Sequence, residues 1–106
     1  MERTISIDGR DVKFRSSGKF PILYRAYTGR SFFKDFDDAP AVMTSMDTEI
    51  LEDMIWCAAK LAAEHDGQKI QDELEWYDSF ESFNYFDVFV QLHELLVSCF
   101  KQLKKA

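Results

Sequence analysis

The stretch from Thr48 to Glu64 constrains the fold of this chain more than any other, because apolar residues cover a wide arc of the helix that it predicts. Two neighbouring stripes recur at spacings of three and four residues, the periodicity of a helix with one buried face. The stripes consist of Ile50, Met54, Cys57 and Leu61, and of Leu51, Ile55, Ala58 and Ala62. Asp47 is a suitable N-cap. We therefore predict a core helix over this stretch.

The N-terminal residues alternate between polar and apolar types with a period of two, on both sides of Asp8-Gly9. An Asp-Gly pair between two such runs is a strong indication of a β-hairpin. The apolar positions that would share one face are Ile5, Ile7, Val12 and Phe14. Two strands are marginally stable alone, so this face must pack on helices.

Helical patterns also precede the core helix. Pro21 suits the first turn of one helix, and Gly29 suits its left-handed C-terminal cap. A second short helix from Arg30 to Asp37 should end before Pro40, because proline disrupts a helix interior. The residues from Ala41 to Met46 then form a connector.

Two more helices are predicted after the core helix. Asp72 can cap a short helix, and Ser82 can cap a final helix from Phe83 to Leu103 that is unusually apolar. The chain therefore predicts a mainly α-helical α+β fold, with a short N-terminal β-hairpin packed on a bundle of about four to five helices. Its 106 residues suit one domain spanning residues 1–106.

The formal net charge of −6 argues against nucleic-acid binding, which needs clustered cations. No apolar run approaches the ~20 residues of a membrane-spanning helix, and no signal peptide is recognisable. Cys57 and Cys99 lie within helical patterns, which favours buried free thiols in a cytosolic protein over a disulfide. We expect neither nucleic acid nor a membrane among the partners.

Patterns for catalysis and metal binding are missing from the sequence. His65 and His93 are far apart, and neither belongs to a His-x-x-x-His or Cys-x-x-Cys pair. Cys99 lies six residues after His93, which places the two side chains on different faces of a helix. The glycines are isolated, so no phosphate-binding loop is predicted. We expect no enzyme, no catalytic residues, no metal site and no cofactor.

Aromatic residues form the one unusual constellation in the chain. They are Trp76, Tyr77, Phe80, Phe83, Tyr85, Phe86 and Phe89. Core packing should account for about half of them, because large apolar residues are usually buried. The remainder would line a groove or edge for a partner helix, since aromatics are common anchors of such sites.

Several motifs follow one another in a specific order. Tyr24 to Asp35 contains a Tyr-x-x-aromatic-x-Gly-Arg core, Trp56 to Lys60 reads Trp-x-x-Ala-Lys, and Glu75 to Phe80 reads Glu-Trp-x-Asp-Ser-Phe. With the hairpin before them and an apolar helix after them, these motifs resemble the tail assembly chaperones of long-tailed bacteriophages and prophages, of the type found in Gram-positive hosts. The resemblance covers nearly the whole chain, although the final helix matches in character rather than residue by residue.

The resemblance implies a non-enzymatic function in tail morphogenesis. Proteins of this family bind the long, helical, apolar tape measure protein and keep it soluble while tail tube subunits polymerise around it. The tail tube protein is a further candidate partner. The family resemblance also implies action in the host bacterial cytoplasm and absence from the mature virion. The apolar surface of the final helix separately predicts a weak homo-oligomer.

The hypothesis for the partner surface concerns the exposed members of the aromatic set. We expect Phe83, Tyr85, Phe86 and Phe89 to contact the apolar stripe of a tape measure helix. The alternative surface lies around the first motif and consists of Tyr24, Tyr27 and Phe33.

Two other classes of protein remain open at this point. One is a small structural tail subunit or head-tail adaptor of a prophage, which would stay in the particle. The other is a cytosolic regulatory interaction module, against which the acidic charge argues if the module has to bind DNA.

Overall fold

The computed structural model describes residues 1–45 and 48–103, and in this part of the chain two strands precede six helices. The strands are β1 (Glu2–Ile7) and β2 (Arg10–Arg15). The helices are α1 (Phe20–Thr28), α2 (Phe32–Ser45), α3 (Glu49–His65), α4 (Glu73–Asp78), α5 (Tyr85–Gln91) and α6 (His93–Leu103). This is the mainly helical α+β fold with an N-terminal hairpin that the sequence predicted.

The two strands form an antiparallel hairpin in which Ile5 lies opposite Val12. Asp8 and Gly9 both have positive φ angles, 53° and 76°, as a two-residue type I′ turn requires. The predicted apolar face is confirmed, since Ile5, Ile7 and Phe14 are buried and Val12 is partly buried. This face packs against α3.

α3 is the central helix and begins and ends within one residue of its prediction. Of the residues expected to face the core, Leu51, Met54, Ile55, Ala58 and Leu61 are buried, and Ile50 is partly buried. The helix contacts β2, α1, α2 and α5, which explains why its apolar arc is so wide. The expected N-cap, Asp47, lies outside the described residues.

The predicted end of the second helix before Pro40 is wrong. α2 begins at Phe32 and continues through Pro40 to Ser45, so the connector expected from Ala41 is helical up to Ser45, and Met46 lies outside the described residues. Proline has no N–H to donate within the helix. Packing outweighs this loss, since Ala39 is buried and the Phe36 ring lies 5.3 Å from that of Phe100.

The single final helix predicted from Phe83 is also wrong, because the chain forms α5 and α6 with a break at Leu92. Leu92 is completely buried and its N–H is shared between the carbonyls of Val88 and Phe89, at 3.0 and 3.1 Å. The N-cap of α5 is Asn84 rather than Ser82, since the Asn84 side chain accepts a hydrogen bond from the N–H of Asp87. Val88 and Phe89 of α5 and Leu95 and Leu96 of α6 are buried on either side of this break.

Both cysteines are free and buried, as predicted. Burial raises the pKa of Cys57 to about 12 and that of Cys99 to about 11, so both thiols stay protonated at neutral pH. Neither is therefore a candidate nucleophile. Within the described ranges, no helix is long and apolar enough to span a bilayer.

Candidate functional site

An apolar cleft of about 280 Å³ lies between α2 and the junction of α5 and α6. We call it the α2–α5 cleft; its lining residues are Phe36, Ala39, Pro40, Phe89, Val90 and His93. The Phe36 ring lies 6.0 Å from the Phe89 ring and 5.8 Å from the His93 ring, so the three rings support one another. Val90 is 59% exposed, so this aliphatic side chain at the cleft is largely accessible to solvent.

Carboxylates flank this apolar surface. Asp37 follows Phe36 on α2, and Asp87 and Glu94 lie three residues before and four residues after Val90. All three acidic residues are exposed. Asp87 lies on the same side of α5 as Val90, because residues three apart share one side of a helix, whereas Asp37 and Glu94 each directly follow a lining residue in the sequence. We call these three exposed carboxylates the acidic rim. Such a rim favours a partner whose apolar side chains are flanked by lysine or arginine.

A block of aromatic rings fixes the segment between α4 and α5. The Phe83 ring lies 4.9 Å from the ring of Tyr77 and 5.3 Å from that of Tyr85, and it also contacts the Trp76 and Phe80 rings. The Tyr77 hydroxyl donates a 2.7 Å hydrogen bond to the Glu52 carbonyl of α3. This block anchors the start of α5 on the core helix and thereby positions one wall of the α2–α5 cleft.

The structure separates the predicted partner-binding residues by burial. Phe89 is 4% exposed and Tyr24 is completely buried, so neither side chain projects from the surface, although Phe89 lines the α2–α5 cleft. Phe33, Phe83, Tyr85 and Phe86 are half-buried. Of these, Phe83, Tyr85 and Phe86 line a separate open depression at the start of α5, and Phe86 precedes Val90 by one helical turn.

Tyr27 is 46% exposed, but its side chain also contacts two other residues of this chain. Its ring lies 4.5 Å from the Trp56 ring, and its hydroxyl donates a 3.2 Å hydrogen bond to Glu73.

Three residues that line the α2–α5 cleft were not predicted from the sequence, because the prediction considered aromatic residues alone. They are Pro40, Val90 and His93. In the sequence, Val90 and His93 recur at helical spacing after Phe86, and this pattern could have indicated one wall of the cleft. The other wall, on α2, could not be predicted because the second helix was expected to end before Pro40.

A partly buried network of charges joins the first motif to the core helix. Arg30 donates to Asp35 at 2.8 Å and to Asp53 of α3 at 2.6 Å, and the Tyr24 hydroxyl donates to Asp35 at 2.6 Å. The hydrogen bond to Asp35 raises the pKa of Arg30, and burial raises the pKa of Tyr24. Gly29, with φ 77°, turns the chain so that Arg30 reaches both acids. This motif therefore has a structural role in the fold.

Glu73 at the start of α4 is the one carboxyl group in the described part of the chain whose pKa is raised markedly, to about 8. Burial is the main cause, and the neighbouring Asp53 carboxylate adds to it. Its Oε1 accepts the Tyr27 hydrogen bond, while its Oε2 is buried without a hydrogen-bond partner. Since neither Glu73 nor Asp53 lines the α2–α5 cleft, a substrate in that cleft would not meet them.

One group of possible metal ligands is exposed at the surface. Glu2, His65 and Asp66 place one ligand atom each within 4.8 Å of one another. Glu2 pairs with Arg15 at 2.8 Å, and Asp66 pairs with Lys13 at 3.0 Å. A bound cation would compete with both ion pairs, so we assign no metal to this group.

Comparisons with known proteins give no relative for this chain: no protein-family model, curated protein or solved structure matches it. The geometry above is thus the basis for assigning a function. It combines an open apolar cleft with an acidic rim, and it places the strongly perturbed carboxyl group outside that cleft.

Proposed function

We propose that this chain is a non-enzymatic tail assembly chaperone, which binds the tape measure protein of a long-tailed phage or prophage and keeps it soluble during tail morphogenesis. The observation that carries the proposal is the α2–α5 cleft with Val90 exposed beside it. A cleft of this kind suits the apolar side chains of an amphipathic helix. The order of sequence motifs supplies the identity of the expected partner.

The physical demands on such a chaperone agree with the surface of this chain. A tape measure helix in water exposes apolar stripes that would associate with one another. Many small domains, each covering a few side chains, can shield a long rod. A net charge of −6 on each bound copy would then keep the coated rod dispersed, because like charges repel.

The acidic rim also has a function in this proposal. Asp87 and Glu94 would face basic residues that flank the apolar stripe of the tape measure helix. These exposed charges would steer association and contribute only modestly to affinity, so binding should weaken as salt is raised.

The remaining parts of the proposal concern context. The chain would act in the host bacterial cytoplasm and be absent from the mature virion. It would associate weakly with itself, and the tail tube protein would be a further candidate partner.

Co-expression with the tape measure protein tests this function. Val90→Ser should reduce the amount of tape measure protein recovered in soluble complex, because it removes an apolar contact at the cleft. Leu74→Ser on α4 is the matched control, since Leu74 is 83% exposed and lies outside the cleft. An equal loss of complex in both variants, or in neither, would refute the assignment of the cleft.

A third variant separates this surface from the alternative near Phe33. Ile22 is 57% exposed on α1 and lines a shallow depression with Phe33. If Ile22→Ser abolishes the complex while Val90→Ser retains it, the binding surface lies on α1 and α2 instead.

A further inference from the structure

The hydrogen bonds of the hairpin determine which backbone groups face outward. Met1 and Ser16 exchange two backbone hydrogen bonds, of 2.9 and 2.8 Å, so they form a hydrogen-bonded pair. Such pairs alternate along an antiparallel ladder with pairs that are not hydrogen-bonded. With Ser6 opposite Asp11 and Thr4 opposite Lys13, the N–H and C=O groups of Asp11 and Lys13 therefore point away from β1.

The outer edge of β2 borders a second cleft, with a volume of about 500 Å³. Residues 10–13 form one wall, and residues 68–71, which belong to no helix or strand, form part of the opposite wall. The C-terminal half of α3 lines the cleft with Ala59, Ala62 and Ala63. Alanines leave space above the helix that larger side chains would fill.

The charge of this cleft differs from that of the whole chain. Arg10, Lys13 and Lys69 line it together with two carboxylates, those of Asp11 and Asp66. Lys13 is paired with Asp66, and the Arg10 guanidinium lies 3.9 Å above the centre of the Phe80 ring. Three basic and two acidic side chains give this lining a net charge of +1, in a chain whose net charge is −6.

We propose that the outer edge of β2 takes up an extended segment of a partner protein as a third strand of the sheet. Backbone groups of Asp11 and Lys13 would form its hydrogen bonds, as in other cases of strand addition. Alternate residues of the segment would be apolar and face the alanines of α3, and the residues between them would be acidic and face Lys13 and Lys69.

This inference goes beyond the proposed function and uses a separate surface. The residues of this cleft and those of the α2–α5 cleft do not overlap. A partner segment is favoured over a second copy of this chain. A second copy would bring the helices on which its own hairpin packs against residues 68–71, whereas an extended segment carries no such layer.

A short synthetic peptide of alternating valine and glutamate is the probe, and a valine–lysine peptide is its charge control. In ¹⁵N–¹H spectra of the wild-type chain, the valine–glutamate peptide should shift the Asp11 and Lys13 amide signals and slow their hydrogen exchange. The Thr4 and Ser6 amides, on the opposite edge, should change little. Saturable shifts confined to other residues, or no saturable shift at all, would overturn the proposal.

Proline variants test the edge itself. Lys13→Pro removes an outward N–H without breaking a β1–β2 hydrogen bond, because proline is tolerated where an edge N–H faces solvent. Binding of the valine–glutamate peptide should weaken about tenfold, as expected for losing a backbone hydrogen bond and meeting the proline ring. Thr4→Pro makes the same change on the β1 edge and should bind like wild type. Lys13→Ala keeps the N–H and should lose less affinity than Lys13→Pro.

Each result has a defined meaning. Equal affinities of Lys13→Pro and Lys13→Ala would contradict strand addition, as would stronger binding of the valine–lysine peptide. Shifts of the Asp11 and Lys13 amides that depend on protein concentration without peptide would identify a second copy as the occupant and overturn the partner segment. Val90→Ser should leave peptide binding unchanged, so failure here is distinguishable from failure of the proposed function.

Discussion

Leu51 and Ile55 lie one turn apart on α3 and are completely buried, so the stability of the fold should depend on each of them. Replacing either by alanine should lower the free energy of unfolding by about 2–5 kcal/mol, because apolar contacts are lost and a cavity is left. Urea denaturation measures this change. Leu74→Ala, at an 83% exposed position, is the control and should stay within about 0.5 kcal/mol of wild type. Wild-type midpoints for both core variants would contradict this packing.

Glu73 should make stability depend on pH. Its pKa is about 8 in the folded chain, against an ordinary value of 4.5, so between these pH values the folded state holds a proton that the unfolded state has lost. Stability from this group therefore falls as pH rises from about 4.5 to about 8. The groups that raise this pKa are Asp53 and Glu52 of α3, and the Tyr27 hydroxyl of α1 opposes them.

The test of this behaviour is the variant Glu73→Gln, which cannot ionise. Its free energy of unfolding, relative to wild type, should increase steadily over that pH range and level off above it. Chemical denaturation at a series of pH values gives both curves. Parallel curves for the variant and the wild type would show that Glu73 does not retain its proton.

Single-residue roles were the hardest part to predict from sequence. Tyr24 and Phe89 have the size and aromatic character of partner anchors, yet both are buried. Their spacing was correct for a helix, but spacing alone does not say which of several apolar stripes the rest of the chain covers. Asp53, which pairs with Arg30 from 23 residues away, likewise has no local signal in the sequence.

At the scale of elements, local signals explain which predictions succeeded. The hairpin depends on a two-residue turn, and α3 depends on a long apolar periodicity, so both are specified by neighbouring residues. The course of α2 through Pro40 and the break at Leu92 depend on contacts with distant elements. At both places, tertiary packing outweighs the helix propensity of the local sequence. The local sequence therefore does not predict where these helices begin or end.

Pro40 provides a prediction for α2. Pro40→Ala restores the missing N–H and should raise the free energy of unfolding by about 2 kcal/mol, since the gain within the helix exceeds the added entropy of the unfolded chain. Thermal or urea denaturation checks this. A destabilised variant would mean that the proline ring contributes more through its contacts in the α2–α5 cleft than it costs the helix.

At the scale of the whole molecule, the fold combines a buried core around α3 with two different clefts. The α2–α5 cleft is apolar with an acidic rim. The cleft beside β2 is lined by three basic and two acidic side chains and borders the outward backbone groups of Asp11 and Lys13. The aromatic set predicted that some apolar surface would stay exposed, but did not indicate the α2 wall of the α2–α5 cleft. The position follows from how α2 and α5 pack, which is a property of the complete fold.

Site-specific photo-crosslinking tests the central claim, that the α2–α5 cleft holds a tape measure helix, most directly. A photoreactive amino acid would replace Val90 in one variant and Leu74 in another, and each would be co-expressed with the tape measure protein. We predict crosslinks to the tape measure protein from position 90 and few from position 74. Crosslinks of equal yield from both positions, or none from position 90 while the complex still forms, would contradict the claim.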